Sequence, residues 1–381
     1  MRRSPRHAGN GKGSGAQAFA PAPGAVVLVI VDAGSDADLR PDAMPFLHGL
    51  AESGLRARLQ GLPGLSSSAA LLAGGAAPAP PATVTDGPVT AAARRLLQPG
   101  PAAATDCDAA VAALGQPDAP PSLVGPHARR FLTCDLATRL ARDETTYAAL
   151  ARALRDGHGP GLYVARLRAL DRANHRHGPG TPPVRRARRI IDRQLAAIHA
   201  AVSAGHRHWS FVVVGDHAAA TVDRTIDLRR ALLRAGAARG DVALAVGPTL
   251  AAAWARTGAG RRALDDALAG LPGAVLVAPE ERRATGLAGP AWGDALLAVR
   301  PGSAFWPESG GFTAPLAVHG YLDAAAERPA FAVVASTDAP APRSVATPRP
   351  LADIAPTVCD LLGVPPLGSG RSLLARPLAR A

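Results

Sequence analysis

Cysteine is scarce in this chain: Cys107, Cys134 and Cys359 are the three in 381 residues, and no two share a paired spacing. That excludes a disulfide framework and a thiolate zinc site. Lysine is scarcer still, with Lys12 alone, so arginine carries the net charge of +12. Aromatic residues make up 4%, and neither a helix-turn-helix nor an RNA-binding signature is visible, so nucleic acid is not expected as the main partner. The arginine clusters at Arg185–Arg189 and Arg229–Arg234 read as solvated helix faces. Acidic small molecules suit such a chain better. Long apolar runs are missing too. The longest aliphatic stretch, Ala25–Val31, falls far short of the ~20 residues a spanning helix needs, and no membrane partner is expected. Met1-Arg2-Arg3 is followed by Gly, Ser and Pro where a signal peptide has its hydrophobic stretch. The expectation is an untargeted, cytoplasmic protein.

What is present is apolar residue in quantity, 48%, enough to fill a sizeable core. Residues 1–24 have no periodicity and read as a disordered leader. The unbroken β-branched run Val26–Val31 predicts a strand buried on both faces of a parallel sheet. A helix is expected over Ala43–Ser53, a short one over Ser66–Gly74, another over Thr145–Arg155 and a long amphipathic one over Val184–Ser203. Strands are expected at Gly161–Leu170, Trp209–Val214 and Ala330–Ala335, and a last helix at Leu351–Leu362 with Gly363 as its stop. Alternating strands and helices imply an α/β fold with a mainly parallel sheet flanked by helices. Smaller units fill residues 229–317, which read as an inserted α/β subdomain between core segments 25–228 and 318–381.

Three of these strands end in an aspartate: Asp32, Asp171 and Asp216. In an open parallel sheet the carboxyl ends of the strands share one edge, so these carboxylates can converge although distant in sequence. Histidines accompany them at His175, His217 and His319. Any one Asp after a strand more often caps the next helix. Three Asp with three His at such positions instead make up ligands for two divalent ions, and mixed imidazole and carboxylate donors suit zinc. His48, His158, His177, His199, His206 and His208 lack such placement.

In this order the motifs resemble the alkaline phosphatase superfamily, and within it the nucleotide pyrophosphatase and type I phosphodiesterase branch. The similarity lies in Val29-Ile30-Val31-Asp32 followed by Met44-Pro45-Phe46-Leu47; in Asp171 and His175 within Asp-Arg-Ala-Asn-His-Arg-His-Gly-Pro; in Gly215-Asp216-His217; in His319-Gly320-Tyr321; and in Asp353-Ile354-Ala355-Pro356-Thr357. The resemblance implies an alkaline-phosphatase-like core with a cap at residues 229–317. One ion would be held by Asp171, His175 and His319, the other by Asp32, Asp216 and His217, and a Ser or Thr between them would attack phosphorus. The substrate implied is a small phosphoric ester, a diester or anhydride in preference to a monoester, with Phe305 and Trp306 either contacts to its leaving group or core of the inserted segment.

Two positions depart from the branch. Ala218 stands where the family has the glycine of Asp-His-Gly. The residue aligned without gaps to the nucleophile is Gly64, which has no side chain, while Ser66, Ser67 and Ser68 follow it. The expected nucleophile is Ser66, at the start of the short helix. The alternative is a metal-binding pseudoenzyme that holds a phosphorylated ligand without turnover. A sulfatase is disfavoured, since the Cys-x-Pro-x-Arg signature is missing around all three cysteines.

Overall fold

Along β1 (Ala25–Val31) every residue is buried, as an apolar run with no polar alternation requires of a strand covered on both faces. From there the computed structural model, which describes residues 24–60, 128–133, 141–155, 161–285, 287–289, 292–307, 314–323, 329–338 and 342–375, continues through α1 (Pro45–Ser53), β2 (Leu55–Gln60), β3 (Ala128–Thr133), α2 (Ala141–Arg155), β4 (Gly161–Leu167), α3 (Ala169–His177), α4 (Pro182–Gly205) and β5 (Trp209–Gly215). Two short strands, β6 (Ala220–Thr221) and β7 (Arg224–Ile226), precede α5 (Leu228–Arg234), β8 (Val242–Val246), β9 (Leu250–Ala255), α6 (Gly258–Ala269), β10 (Ala274–Leu276), α7 (Pro279–Ala284), β11 (Ala295–Val299), β12 (Ser303–Phe305) and β13 (Ala317–Val318). The chain then supplies β14 (Ala330–Ser336), β15 (Arg343–Pro350) and α8 (Ile354–Leu362). Most of the expected leader, the Ser66–Gly74 segment with Gly64 before it, Cys107 and Cys134 lie outside the described residues.

The central sheet has the order β15-β2-β14-β5-β1-β4-β3. Within it β14 runs antiparallel to both its neighbours, β5 and β2, and the remaining pairings are parallel. The expected mainly parallel α/β sheet is thus what the chain forms. Alternate residues of β1 go to opposite sides. Val27, Val29 and Val31 join Leu47, Leu150, Leu154, Ile191, Leu195 and Ile198 of α1, α2 and α4. Val26, Leu28 and Ile30 join Ile354, Ala355, Val358 and Cys359 of α8. Each fully buried Val, Leu or Ile contributes about 1.5–3 kcal/mol, so this three-layer packing is what stabilises the edge on which the site stands. Gly363 closes α8 in the left-handed conformation, φ 67°, as the sequence predicts.

Helix α1 has no side-chain cap of its own. Its free N–H groups are met from α4 instead, where buried Asp192 accepts from Phe46 N and Leu47 N, both at 3.0 Å. A carboxylate there satisfies orphan donors and the positive end of the helix dipole together.

Strands β10, β11, β9 and β8 form a separate antiparallel sheet in that order. One of its faces packs with α5 and α6 around Leu232, Leu244, Leu264 and Leu297, and the other around Leu287, Trp292 and Leu296. Phe305 is fully buried in the first of these clusters, which is the core role that the sequence leaves open for it beside that of a leaving-group contact. Among the described residues, no helix is long and apolar enough to cross a membrane.

Candidate metal centre

Asp32 and Asp216 follow neighbouring parallel strands, β1 and β5, whose last paired residues are Val31 and Gly215. The chain turns sharply after β1: Gly34 N donates to Val31 O at 2.9 Å, and Ala33 takes up φ 64°, a left-handed conformation that costs a residue bearing a Cβ. That turn aims the Ala33 N–H at Asp216 Oδ1, 3.1 Å away. The close crossing of Gly34 and Gly215 lets the two loops meet, because a Cβ on Gly34 would stand 3.0 Å from Gly215 Cα. His217 follows directly, with Nε2 3.1 Å from Asp32 Oδ1 and 3.5 Å from Asp216 Oδ1.

Asp171 departs from expectation in its local setting. Strand β4 stops at Leu167, and Asp171 lies in the first turn of α3, with His175 one turn later on the same face. His175 Nε2 is 3.0 Å from Asp171 Oδ1, while its Nδ1 lies 2.7 Å from Ala317 O. A ring nitrogen fixed by a backbone carbonyl with the other turned to the site is the usual support of a metal-binding imidazole. His319, directly after β13, brings Nε2 to 3.9 Å from Asp171 Oδ1. Its ring stacks on that of His217, with centroids 3.6 Å apart and planes 11° apart.

Two groups of three therefore have ligand atoms within 4.8 Å of one another: Asp32, Asp216 and His217, and Asp171, His217 and His319. His217 belongs to both. His175 stands beside the second, its ring 5.5 Å from that of His319. Ser66 lies outside the described residues.

Charge explains why these groups suit a cation. Asp32, Asp171 and Asp216 are all buried, and carboxylates withdrawn from water are costly unless paired. Burial works to raise the Asp171 carboxyl, but the charge and hydrogen bond of His175 outweigh it and hold the group below the ordinary carboxylate range. For Asp32, burial is likewise overcome, chiefly by the Arg166 charge, and its pKa is lowered. Burial would lower His175 and His217; Asp171 pushes the first up to about 9, and Asp216 with Asp32 pushes the second up to about 9. His319 goes the other way, held well below the imidazole range by burial and by the charge of His217. Its Nδ1 and that of His217 are buried with no hydrogen-bond partner. Carboxylates, imidazoles and unpartnered ring nitrogens in one buried cluster are a donor set that fits a divalent ion of the zinc kind.

Sequence reasoning passes over Arg166 and Arg168, which reach Asp32 Oδ2 at 2.9 and 3.3 Å. The available signal is an Arg-Leu-Arg at the end of an otherwise apolar strand. Of the described histidines outside the expected set, His199 packs against Phe46, Trp209 and Phe211, and His208 Nδ1 lies 3.3 Å from Asp338.

No curated protein sequence matches the chain. Solved structures do. Murine ectonucleotide pyrophosphatase / phosphodiesterase 5 matches with a TM-score of 0.64 at 15% identity, covering 90% of this chain and 97% of its own. The human protein of that name matches with a TM-score of 0.68 at 14% identity, covering 91% and 97%. An inactive variant of the murine protein, in complex with AMP, matches with a TM-score of 0.63 at 15% identity, covering 90% and 96%. The family model for type I phosphodiesterase / nucleotide pyrophosphatase matches residues 88–310, a span that includes Asp171, His175, Asp216 and His217. That span is more than half of the chain, which therefore belongs to the type I phosphodiesterase / nucleotide pyrophosphatase family of hydrolases.

Proposed function

We propose that this chain hydrolyses small phosphodiesters or phosphoanhydrides, nucleotide derivatives among them, with two divalent ions of the zinc type and Ser66 as nucleophile. The observation that carries the reading is the convergence of Asp32, Asp171 and Asp216 with His175, His217 and His319, from four separate stretches of chain, in one cluster whose carboxylates and His217 are buried. The murine relative that holds AMP supports a nucleotide-like ligand.

Asp32, Asp216 and His217 would hold one ion, and Asp171 and His319 the other, with His175 beside Asp171. Bound there, the ions would supply Lewis-acid polarisation of the phosphoryl group and charge for the attacking and leaving oxygens. The chain's own residues do the positioning. Ala33 N–H fixes the Asp216 carboxylate, and the Ala317 carbonyl orients His175. Burial keeps bulk water off the three carboxylates. The segment 229–317 acts as the cap that selects the leaving group.

Gly64, where the family nucleophile aligns, favours a second reading, in which a phosphorylated ligand is held without turnover. Kinetics separate the two. The protein, stripped with chelator and reloaded with zinc or manganese, should cleave bis(4-nitrophenyl) phosphate at least about tenfold faster than the monoester, a difference of about 1.4 kcal/mol in transition-state stabilisation. Binding of AMP with no cleavage of any phosphoester selects the pseudoenzyme. Measurable turnover that is the same with and without chelator defeats both readings.

A further inference from the structure

Arg166 and Arg168 flank Leu167, the last residue of β4, and both guanidinium groups reach the same oxygen, Asp32 Oδ2, at 2.9 and 3.3 Å. Arg166 is 6% exposed, on the face of the strand whose other members, Leu162 and Val164, lie in the apolar core. A guanidinium there is costly unless paired, and the Asp32 carboxylate meets it. Asp32 is thereby divided: Oδ2 faces arginine and Oδ1 faces His217 Nε2 at 3.1 Å. Asp171 is set differently, with the imidazoles of His175 and His319 at 3.0 and 3.9 Å.

The difference matters for an incoming ion. An imidazole becomes a neutral ligand by giving up its proton, whereas a guanidinium keeps its charge at any working pH. A cation settling on Asp32 therefore meets two fixed positive charges close behind its ligand, and burial leaves little water to screen that of Arg166. Partners behind a metal ligand ordinarily strengthen it when they are acceptors, such as carbonyls and carboxylates. A double donor does the reverse, drawing electron density away from the ligating carboxylate.

We propose that Arg166 and Arg168 make the two ion sites unequal, so that an ion loads first on the Asp171 side and the site of Asp32, Asp216 and His217 fills only at higher concentration. The inference rests on the two-ion reading above. The arginines act through Asp32 and are positioning residues.

Calorimetric titration of zinc into the chelator-stripped full chain tests this, with elemental analysis as an independent count. The native chain should show two binding steps. In Arg166→Met the weaker step should tighten by about 10- to 100-fold, the range over which groups behind a ligand shift affinity, while the stronger step stays put. Arg168→Met should move it the same way by less, and Arg166→Lys should keep the gap. Asp216→Asn should abolish the weaker step, which assigns it. If Arg166→Met does not fold, Arg168→Met, whose side chain is 25% exposed, decides the matter. Two native steps of equal strength, or a weaker step left unchanged or weakened further by the Met variants, overturn the inference alone. A chain that takes up no second ion in any variant overturns the two-ion reading and the inference with it.

Discussion

A methyl group built on Gly215 would stand 2.3 Å from the carbonyl oxygen of Gly34 and 2.5 Å from Phe331 Cε1. Two of the three carboxylates meet because these glycines let the ends of β1 and β5 approach that closely. Gly215→Ala should therefore destabilise the protein by about 1–3 kcal/mol through overpacking and weaken ion binding as Asp216 shifts from Asp32. Urea denaturation of the metal-free protein reads the first effect and ion titration the second. A variant with native values of both would show that the crossing has slack.

His319→Ala should lower the metal content from close to two ions per chain to about one, since a site that loses one of its three protein ligands holds zinc poorly. His177→Ala is the control: His177 ends the same helix as His175 but is exposed, and its loss should leave the content unchanged. Identical metal content in both variants would remove His319 from the ion site.

Without metal, stability should fall as pH rises from about 6.5 towards 9. Folding raises His175 and His217 to about 9, from about 6.5 in the unfolded chain. Each thus binds its proton more tightly when folded, and that contribution is complete below about pH 6.5 and lost through about pH 9. His319 opposes this only near pH 6.5, because folding lowers its pKa while the unfolded imidazole sheds its proton around that pH, about 6.5; one group against two leaves the net fall intact. The depressed Asp32 and Asp171 act at the acid end, where their contribution disappears as pH drops below about 4. Zinc should remove the alkaline loss, since its ligands must shed those protons. Thermal midpoints in chelator at pH 6, 7.5 and 9 decide it, and a midpoint that climbs with pH contradicts the assignment.

Ser66→Ala should abolish most turnover while leaving folding and metal content intact. A residue that merely caps a helix costs about 1 kcal/mol when replaced by Ala, whereas loss of an attacking hydroxyl lowers kcat by orders of magnitude. Full activity in Ser66→Ala, Ser67→Ala and Ser68→Ala alike would mean that another group or water attacks.

Asp32 and Asp216 are legible in the sequence because each follows a β-branched run that a two-sided parallel sheet demands, and such runs end where the strand does. Asp171 reads as a strand end because Ala169 and Leu170 prolong the apolar run of β4, while Arg168, which precedes α3, offers no capping side chain. Strand β2 hides its signal in the alternation of Leu55, Ala57 and Leu59 with Arg56 and Arg58, whose partner is Asp36, at 2.7 and 2.9 Å. Edge strand β15 carries prolines and is largely exposed, so it has no hydrophobic pattern to show. The reversed direction of β14 is invisible for another reason: an apolar run reads the same either way. Arg166 escapes notice because a lone arginine in an apolar strand gains meaning only beside a carboxylate from another strand.

The stacked rings of His217 and His319 close a loop. One stands where β5 ends and the other where the chain comes back after building the whole second sheet, so an ion gripped by both sides of that stack would act as a reversible staple across positions 217 to 319. Tying so long a loop shut removes chain entropy from the unfolded ensemble, on the order of a few kcal/mol for spans of this size. Metal supply would then govern how firmly the second sheet is tethered as well as whether phosphorus is attacked.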